Sequence, residues 1–402
     1  MSERSDVVIA GGGAAGMAFA LALRAAAGEG LSVTLCDPDL ARDQRGDSRA
    51  YALVAGACRF LDSIGAWAAM AGEAQPIRRM EITDSRLEDI VRPALAEFAG
   101  DAQAPAEMLP NGVILAALIE QVRAAGIRLI AAPVSGFEPG EGHILAVAGG
   151  ERLSARLLVV ADGRGSRLRE RAGIAYYGWR YPQTAIVGTI HHSLDHEGVA
   201  VQHFLPAGPF AMLPLKGRRS SIVWNERPET AERLLRRSPE ELVEEIGRRA
   251  AGRFGTISAF EGVASFPMSI GIARRFTGPR LALLGDAAHG FHPIAGQGLN
   301  YGLRGAAALA ETVLDAARLG LDIGSTTALE GYERQRRPDV MAMAAMTEGL
   351  NRLFSNNSGP LRLLRDVGLG MVQRLPGLTG RLMAEAAGEG RLAPRAFRGL
   401  PL

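Results

Sequence analysis

Asp6-Val7-Val8-Ile9-Ala10-Gly11-Gly12-Gly13-Ala14-Ala15-Gly16 is the stretch on which the fold turns. Its first five residues form an apolar run short enough to be a buried strand, and Met17 to Ala27 reads as an Ala/Leu-rich helix. The turn between them is Gly-x-Gly-x-x-Gly, and each glycine has a mechanical task. Gly11 permits the tight turn, Gly13 lets backbone approach a pyrophosphate, and Gly16 lets helix pack on strand, with Ala14 and Ala15 completing the binding turn. The next strand, Ser32-Val33-Thr34-Leu35-Cys36, ends in Asp37, at the spacing where a carboxylate takes the ribose hydroxyls of an adenosine. Together these parts predict a Rossmann-like unit that binds a dinucleotide. Val7 to Leu23 carries no charge and invites a transmembrane or signal-sequence reading, but its glycine cluster would break a lipid-facing helix and no cleavage pattern follows.

A second stretch repeats the logic near the other end. Leu281-Ala282-Leu283-Leu284 reads as a buried strand, followed by Gly285-Asp286-Ala287-Ala288-His289 and by His292-Pro293-Ile294-Ala295-Gly296-Gln297-Gly298-Leu299-Asn300. A long Ala-rich helix is predicted from Leu299 to Leu319. Asp286 thus stands at a strand's C-terminal end, where it can accept hydrogen bonds from a sugar-like chain. Free N–H groups near Gly298 suit an anion or an electron-rich ring. A third stretch, Val160-Ala161-Asp162-Gly163-Arg164-Gly165-Ser166, again ends a strand in an acid, with Ser166 as a helix cap.

Composition sets bounds on the rest. The chain has 402 residues, enough for two or three sub-domains, and its 47% hydrophobic and 22% charged content is that of a soluble protein. A net charge of +2 argues against nucleic acid as a partner. The two cysteines, Cys36 and Cys58, have no metal-type spacing and imply no disulfide framework, so a cytoplasmic setting is expected and no metal site.

Between the second and third nucleotide-type motifs the pattern changes. Ala185 to Ile190, Val199 to Leu205, Phe210 to Leu215 and Ser220 to Trp224 are short runs bounded by Gly and Pro, an antiparallel-sheet signature. Arg78 to Thr83 reads as a strand, Ala50 to Ile64 as helix, and everything after about Thr326 as helix. The expected organisation is α/β. A discontinuous dinucleotide-binding domain takes residues 1–77, 99–180 and 265–345. An inserted antiparallel-sheet substrate domain takes 78–98 and 181–264, and a C-terminal helical segment takes 346–402.

The order of the three motifs resembles that of the single-component flavoprotein hydroxylases related to para-hydroxybenzoate hydroxylase, and the likeness spans nearly the whole chain. Within that superfamily the chain looks like the ubiquinone-biosynthesis hydroxylases. The matching stretches are His292 to Gly302, Ser48-Arg49-Ala50-Tyr51-Ala52-Leu53, Gly208-Pro209-Phe210-Ala211-Met212-Leu213-Pro214-Leu215 and Ser221-Ile222-Val223-Trp224. The family pattern has Asp three residues after Gly302, where this chain has Gly305.

The resemblance implies FAD, with Gly11, Gly13 and Gly16 on the pyrophosphate and Asp37 on the adenosine ribose. Gly285 and Asp286 would serve the pyrophosphate–ribityl region, and Pro293, Gly296, Gln297, Gly298, Leu299 and Asn300 the isoalloxazine. Asn111, Asp162 and Gly163 would lie beside the flavin, and Arg49 either reaches the pyrophosphate or pairs with Asp47. It further implies O2 as co-substrate, electrons from NAD(P)H or a protein donor, and ring hydroxylation of a polyprenylated phenol through a flavin C4a-hydroperoxide. No pairing in the sequence identifies a catalytic residue; His289 and His292 are candidates for a base. Phe204, Met212 and Trp224 are candidate pocket walls. The Arg-rich, apolar stretch from Arg352 to Arg398 suggests peripheral contact with the inner face of a membrane, and a quinone-biosynthesis complex is a possible partner. Two other functions stay open: a flavin reductase or dehydrogenase of an apolar isoprenoid-like compound, and a non-catalytic flavin-binding subunit.

Overall fold

The computed structural model describes residues 3–43, 46–47, 49–83, 96–99, 106–205, 207–292, 296–354, 390 and 393–402. From the N-terminus, β1 (Glu3–Ala10) passes through the glycine turn into α1 (Ala14–Ala27) and β2 (Val33–Cys36). Then come β3 (Ala50–Val54), α2 (Ala55–Ser63), β4 (Gln75–Ile77), β5 (Arg79–Thr83), β6 (Ala96–Ala99), β7 (Ala106–Pro110) and α3 (Asn111–Ala124). The chain returns with β8 (Arg128–Ile130), the hairpin β9 (Val134–Pro139) and β10 (Ile144–Ala148), β11 (Glu151–Val160) and the short α4 (Arg167–Arg171). Its middle is β12 (Tyr176–His192), β13 (Val199–Leu205), β14 (Gly208–Leu215), β15 (Arg219–Glu226), α5 (Pro228–Leu235), α6 (Pro239–Ala250) and β16 (Ile257–Ala273). It ends with β17 (Thr277–Gly278), β18 (Leu281–Leu283), β19 (His289–Gly290), α7 (Gly298–Arg318) and α8 (Thr326–Phe354).

Two large sheets organise these elements. The first has the order β17-β18-β11-β1-β2-β8, with β10 and β9 joined to β11. Its strands β18, β11, β1, β2 and β8 are parallel. Val7, Val8 and Ile9 are fully buried because a central parallel strand is covered on both faces, which explains the unbroken apolar run. α1 packs against α7 over this sheet, and the alanines on both helices let them approach closely.

The second sheet has the order β19-β16-β12-β15-β14-β13-β5-β6. One face is covered by α5 and α6, whose Leu234, Leu242 and Ile246 pack on Ile186, Phe210, Met212, Ile222 and Trp224. Ser238 holds the start of α6 by a reciprocal capping box with Glu241. Arg249 of α6 lies over the Trp224 ring at 4.2 Å and donates to Glu226 at 3.0 Å, tying that helix to the sheet.

Three expectations need correction. Ala50–Val54 is a strand, not the start of a helix, because it pairs with β7 in a small separate sheet. The expected domain boundaries at 180/181 and 264/265 fall inside β12 and β16, two strands of 17 residues each. Helix does not run to the C-terminus: residues 393–402 contain only a single 3-10 turn, Ala396–Arg398. Phe397 in that turn stacks on Phe60 at 5.9 Å, and its carbonyl accepts from Arg59 Nε at 2.9 Å. Among the described residues no helix is long and apolar enough to cross a membrane.

Candidate active site

The motifs meet along one edge of the first sheet. Ala10, Val160 and Leu283 are paired at the ends of β1, β11 and β18, and Cys36 ends β2 beside them. Their successors, Gly11, Asp162, Asp286 and Asp37, therefore gather at the carboxyl edge of a parallel sheet, where open α/β sheets bind ligands. Backbone bonds lock the turns: Ala161 N–H donates to the Ala10 carbonyl at 2.7 Å, and Gly11 N–H to that of Cys36 at 2.9 Å.

Gly11 has φ +120°, and a Cβ there would lie 2.2 Å from the Ala161 carbonyl oxygen. A Cβ on Gly16 would lie 2.1 Å from the Gly11 oxygen, whereas one on Gly13 would meet nothing within 4 Å. Two glycines are thus required by protein packing, and the third leaves room for a ligand. α1 begins at the buried Ala14 with no side-chain cap and no acid in its first turn, as an anion site requires. Ala15 joins the first motif to the last, since a Cβ on Gly285 or Gly302 would sit 3.4 or 3.5 Å from its methyl group. Asp37 accepts from Gly12 N–H and from Asp39 N–H, each at 2.7 Å, one on each carboxylate oxygen. Each oxygen keeps a further lone pair for a hydroxyl. A cleft of about 240 Å³ opens beside it, lined by Gly12, Met17, Leu40, Leu115, Ile119 and Arg123. These features fit a pyrophosphate-bridged dinucleotide.

Asp47, which motif reading passes over, organises two of the expected residues. Arg49 Nε donates to Asp47 Oδ1 at 3.0 Å, and Asn111 Nδ2 to Asp47 Oδ2 at 2.7 Å. Of the two readings of Arg49, the pair with Asp47 is the one formed. Arg164 is a second residue outside the expected set. It bridges the Asp-Gly and Gly-Asp motifs by donating from Nε to Asp286 Oδ2 at 3.1 Å, and from Nη1 to Ser269 Oγ at 3.1 Å. Asp162 follows β11 as an exposed residue; partial desolvation raises its pKa above the ordinary carboxylate value, opposed by a hydrogen bond with Ser166. Gly163 (φ +89°) and Gly285 (φ +59°) make the turns that carry these acids.

At the start of α7, Gln297 has no side-chain capping bond, and a Cβ on Gly296 or Gly298 would meet nothing within 4 Å. Leu299 is partly buried against the core, and Pro293 lies outside the described residues. Asn300 is corrected: its side chain is engaged within the protein. Nδ2 donates to the Ala52 carbonyl at 2.8 Å and Oδ1 accepts from Val54 N–H at 3.1 Å, clamping α7 to β3.

Neither histidine suits the role of base. His289 is buried, stacks on Phe291 at 5.0 Å, and burial pushes its pKa down to about 3. His292 meets Gln183 Oε1 through Nε2 at 3.0 Å, and burial lowers its pKa to about 4. Both are too weakly basic to hold a phenolic proton. They do have a consequence for stability. Unfolded, each takes up a proton near 6.5; folded, each stays neutral down to about 4 or 3. Below about pH 6.5 the unfolded state binds more protons, so stability falls as pH drops toward 4. His292→Gln is expected to lessen this fall, read as urea midpoints between about pH 7 and 4.5; an unchanged slope would contradict the assignment.

The candidate pocket walls divide. Met212 and Trp224 face α5 and α6 in the sheet's covered core, so neither lines a pocket. Phe204 lies on the opposite face from Val201 and Leu205, which belong to that core. Of the Arg-rich tail, Arg362, Arg365, Arg374, Arg381 and Arg391 lie outside the described residues. Arg395 is paired with Asp315 at 2.8 Å, and Arg352 with Glu348.

Comparison with known proteins agrees with this geometry. The FAD binding domain family matches residues 4–347. Ubiquinone hydroxylase UbiL of Rhodospirillum rubrum is 41% identical, over 99% of this chain and 94% of that protein. The chain belongs to the FAD binding domain family, among its ubiquinone-biosynthesis hydroxylases. Escherichia coli 3-demethoxyubiquinol 3-hydroxylase is 30% identical, over 96% of this chain and 99% of its own length. Among solved structures, p-nitrophenol 4-monooxygenase of Pseudomonas putida superposes with a TM-score of 0.78 at 19% identity, covering 97% of this chain and all of that one, a likeness of fold. The family's cofactor is FAD, which the glycine turns and Asp37 fit.

Proposed function

We propose that this chain hydroxylates the aromatic ring of a polyprenylated phenol in ubiquinone biosynthesis. The observation that carries the reading is the convergence of Gly13, Asp37, Asp162 and Asp286 at one sheet edge, in a chain with hydroxylase relatives along its whole length. Gly11, Gly13, Ala14, Ala15 and Gly16 hold the pyrophosphate of FAD, and Asp37 the adenosine ribose. Gly285 and Asp286, steadied by Arg164, take the ribityl side, and the segment from Gly296 to Leu299 borders the ring. Asp47 orients Arg49 and Asn111 beside it. When bound and reduced, FAD supplies the activation of O2 that ring hydroxylation needs. The protein's part is to bind, to orient the phenol and to exclude water. We read the second sheet with α5 and α6 as the substrate unit, in agreement with its apolar inner face.

A polyprenyl tail originates in a bilayer, which supports peripheral membrane contact. Tyr177 and Trp179 on β12 are 61% and 50% exposed, and Met341 and Met346 on α8 are exposed as well, apolar groups suited to a lipid surface. The test is quinone analysis of a host whose own ring hydroxylases are deleted one at a time, with this chain supplied. Restored ubiquinone in one strain is expected and names the ring position. Accumulation of unhydroxylated prenylphenol in every strain, despite FAD-loaded protein, would defeat the reading. Recovery wholly in that host's soluble fraction would oppose the membrane contact.

A further inference from the structure

The second sheet's free face is readable residue by residue from its register. Phe266 pairs with Ala185 and Ala185 with Asn225, while Phe204 pairs with Pro209, so these side chains lie in one row across the face opposite Trp224. The next row runs Val187, Val223, Ala211 and Gln202. Beyond it the face is closed, because Ala200, Leu213 and Leu215 pack on Ala50, Ala52 and Met108 of the small sheet. The first two rows lie outside the part of the face that the small sheet covers. Arg49 stands at the Phe266 end of the first row, its guanidinium 5.9 Å from the Phe266 ring centre.

In this mostly apolar wall Asn225 and Gln202 are the polar side chains, and Asn225 is the more deeply buried. It is 2% exposed, and its Nδ2 donates to the Pro209 carbonyl at 2.8 Å. That bond fixes which end of the amide is nitrogen and leaves Oδ1 as the acceptor. Among the described residues Oδ1 has no hydrogen-bond partner. A buried carbonyl without a donor costs about 1–3 kcal/mol, so such an atom calls for a donor beyond the described residues, and a bound ligand is one. Its neighbours lead toward the cofactor loop. A Cβ on Gly208 would lie 2.8 Å from both Asn225 Cβ and Gln183 Nε2, and Gln183 Oε1 is 3.0 Å from His292 Nε2.

We propose that Asn225 is the positioning residue for the aromatic ring: its Oδ1 accepts the hydrogen bond of the substrate's phenolic hydroxyl. Val187, Ala211, Val223 and Phe204 cover the ring and the start of the tail. Asn225 touches no reacting oxygen; it fixes which edge of the ring faces the cofactor side, and a neutral phenol is the form it selects. The inference rests on the phenol reading of the preceding section.

The test titrates FAD-loaded protein with a geranylated phenol and with its O-methyl ether, following perturbation of the flavin absorbance. Wild type is expected to favour the phenol about tenfold, the worth of one hydrogen bond to a buried acceptor. Asn225→Val, which carries no acceptor, is expected to bring the ratio near one by weakening phenol binding alone, a change that merely altered packing would not produce. If Asn225→Val does not retain FAD, Asn225→Thr, which keeps an accepting oxygen, is expected to give an intermediate ratio. An undiminished preference in the variant overturns the role of Asn225 and leaves the substrate class standing. Equal binding of phenol and ether by wild type also overturns it, with water as the partner of Oδ1. Binding of neither compound by wild type overturns this inference and the phenol reading together.

Discussion

Gly16→Val is expected to give colourless, largely insoluble protein, and Gly13→Val a folded protein that cannot keep FAD. The difference lies in what each new side chain meets. At Gly16 a Cβ would fall 2.1 Å from the Gly11 carbonyl oxygen, which cannot retreat because Gly11 N–H is bonded to Cys36 and Ala161 stands behind it. Forcing α1 off the sheet disrupts the buried helix that carries Met17, Phe19 and Leu23, at a cost of about 3 kcal/mol or more. At Gly13 nothing lies within 4 Å, so the folded state accepts valine and only the approach of a pyrophosphate is blocked. Thermal melting of the two apo proteins and flavin retention through gel filtration separate the effects. A Gly13→Val protein as yellow as wild type would contradict the placement of FAD.

The largest effect on stability away from the cofactor is expected at Asp339. Its carboxylate serves three buried groups. It pairs with Arg336, lies 3.2 Å from Arg304 Nε, and accepts from the Tyr301 hydroxyl at 3.3 Å. Arg304 and Arg336 are 2% and 1% exposed, so solvent cannot take over the role. Burial already lowers the Arg336 pKa, with Asp339 opposing that shift. Asp339→Asn is expected to cost about 3–5 kcal/mol, the usual penalty for leaving a buried charge uncompensated. Adding Arg336→Met should recover part of it, because one of the two buried arginine charges that Asp339 balances is then removed as well. Urea unfolding of both variants is the measurement, and a single variant within about 1 kcal/mol of wild type would contradict the account.

What the sequence makes legible here is local. The glycine turn, Asp37 and the Gly-Asp turn are strand–loop–helix junctions whose chemistry is contained in about ten residues each, and they sit where that chemistry puts them. Relations between distant segments are not legible in the same way. Arg164 stands in plain sight between Gly163 and Gly165, but its partner Asp286 lies 122 residues further on. Met212 and Trp224 alternate correctly along their strands, yet which face the helices cover depends on α5 and α6. Ala50–Val54 has no strong strand composition and extends only because β7 pairs with it. Asn225 adjoins the motif ending at Trp224, and its significance comes from Pro209 and Gln183 on neighbouring strands.

The position of β18 in the chain has a consequence for how the protein matures. The sheet edge proposed for FAD is shared by β1, β11 and β18, and α1 is covered by α7, so the first motif and its partners are separated by most of the polypeptide. While the chain is still emerging from the ribosome, the N-terminal glycine turn exists without Asp286 and without the helix that shields α1. Its apolar surface stays uncovered until Gly298–Arg318 has been made. Cofactor acquisition is therefore a late event that waits for α7, and a chain cut short before Gly298 is left with an uncovered Ala/Leu helix.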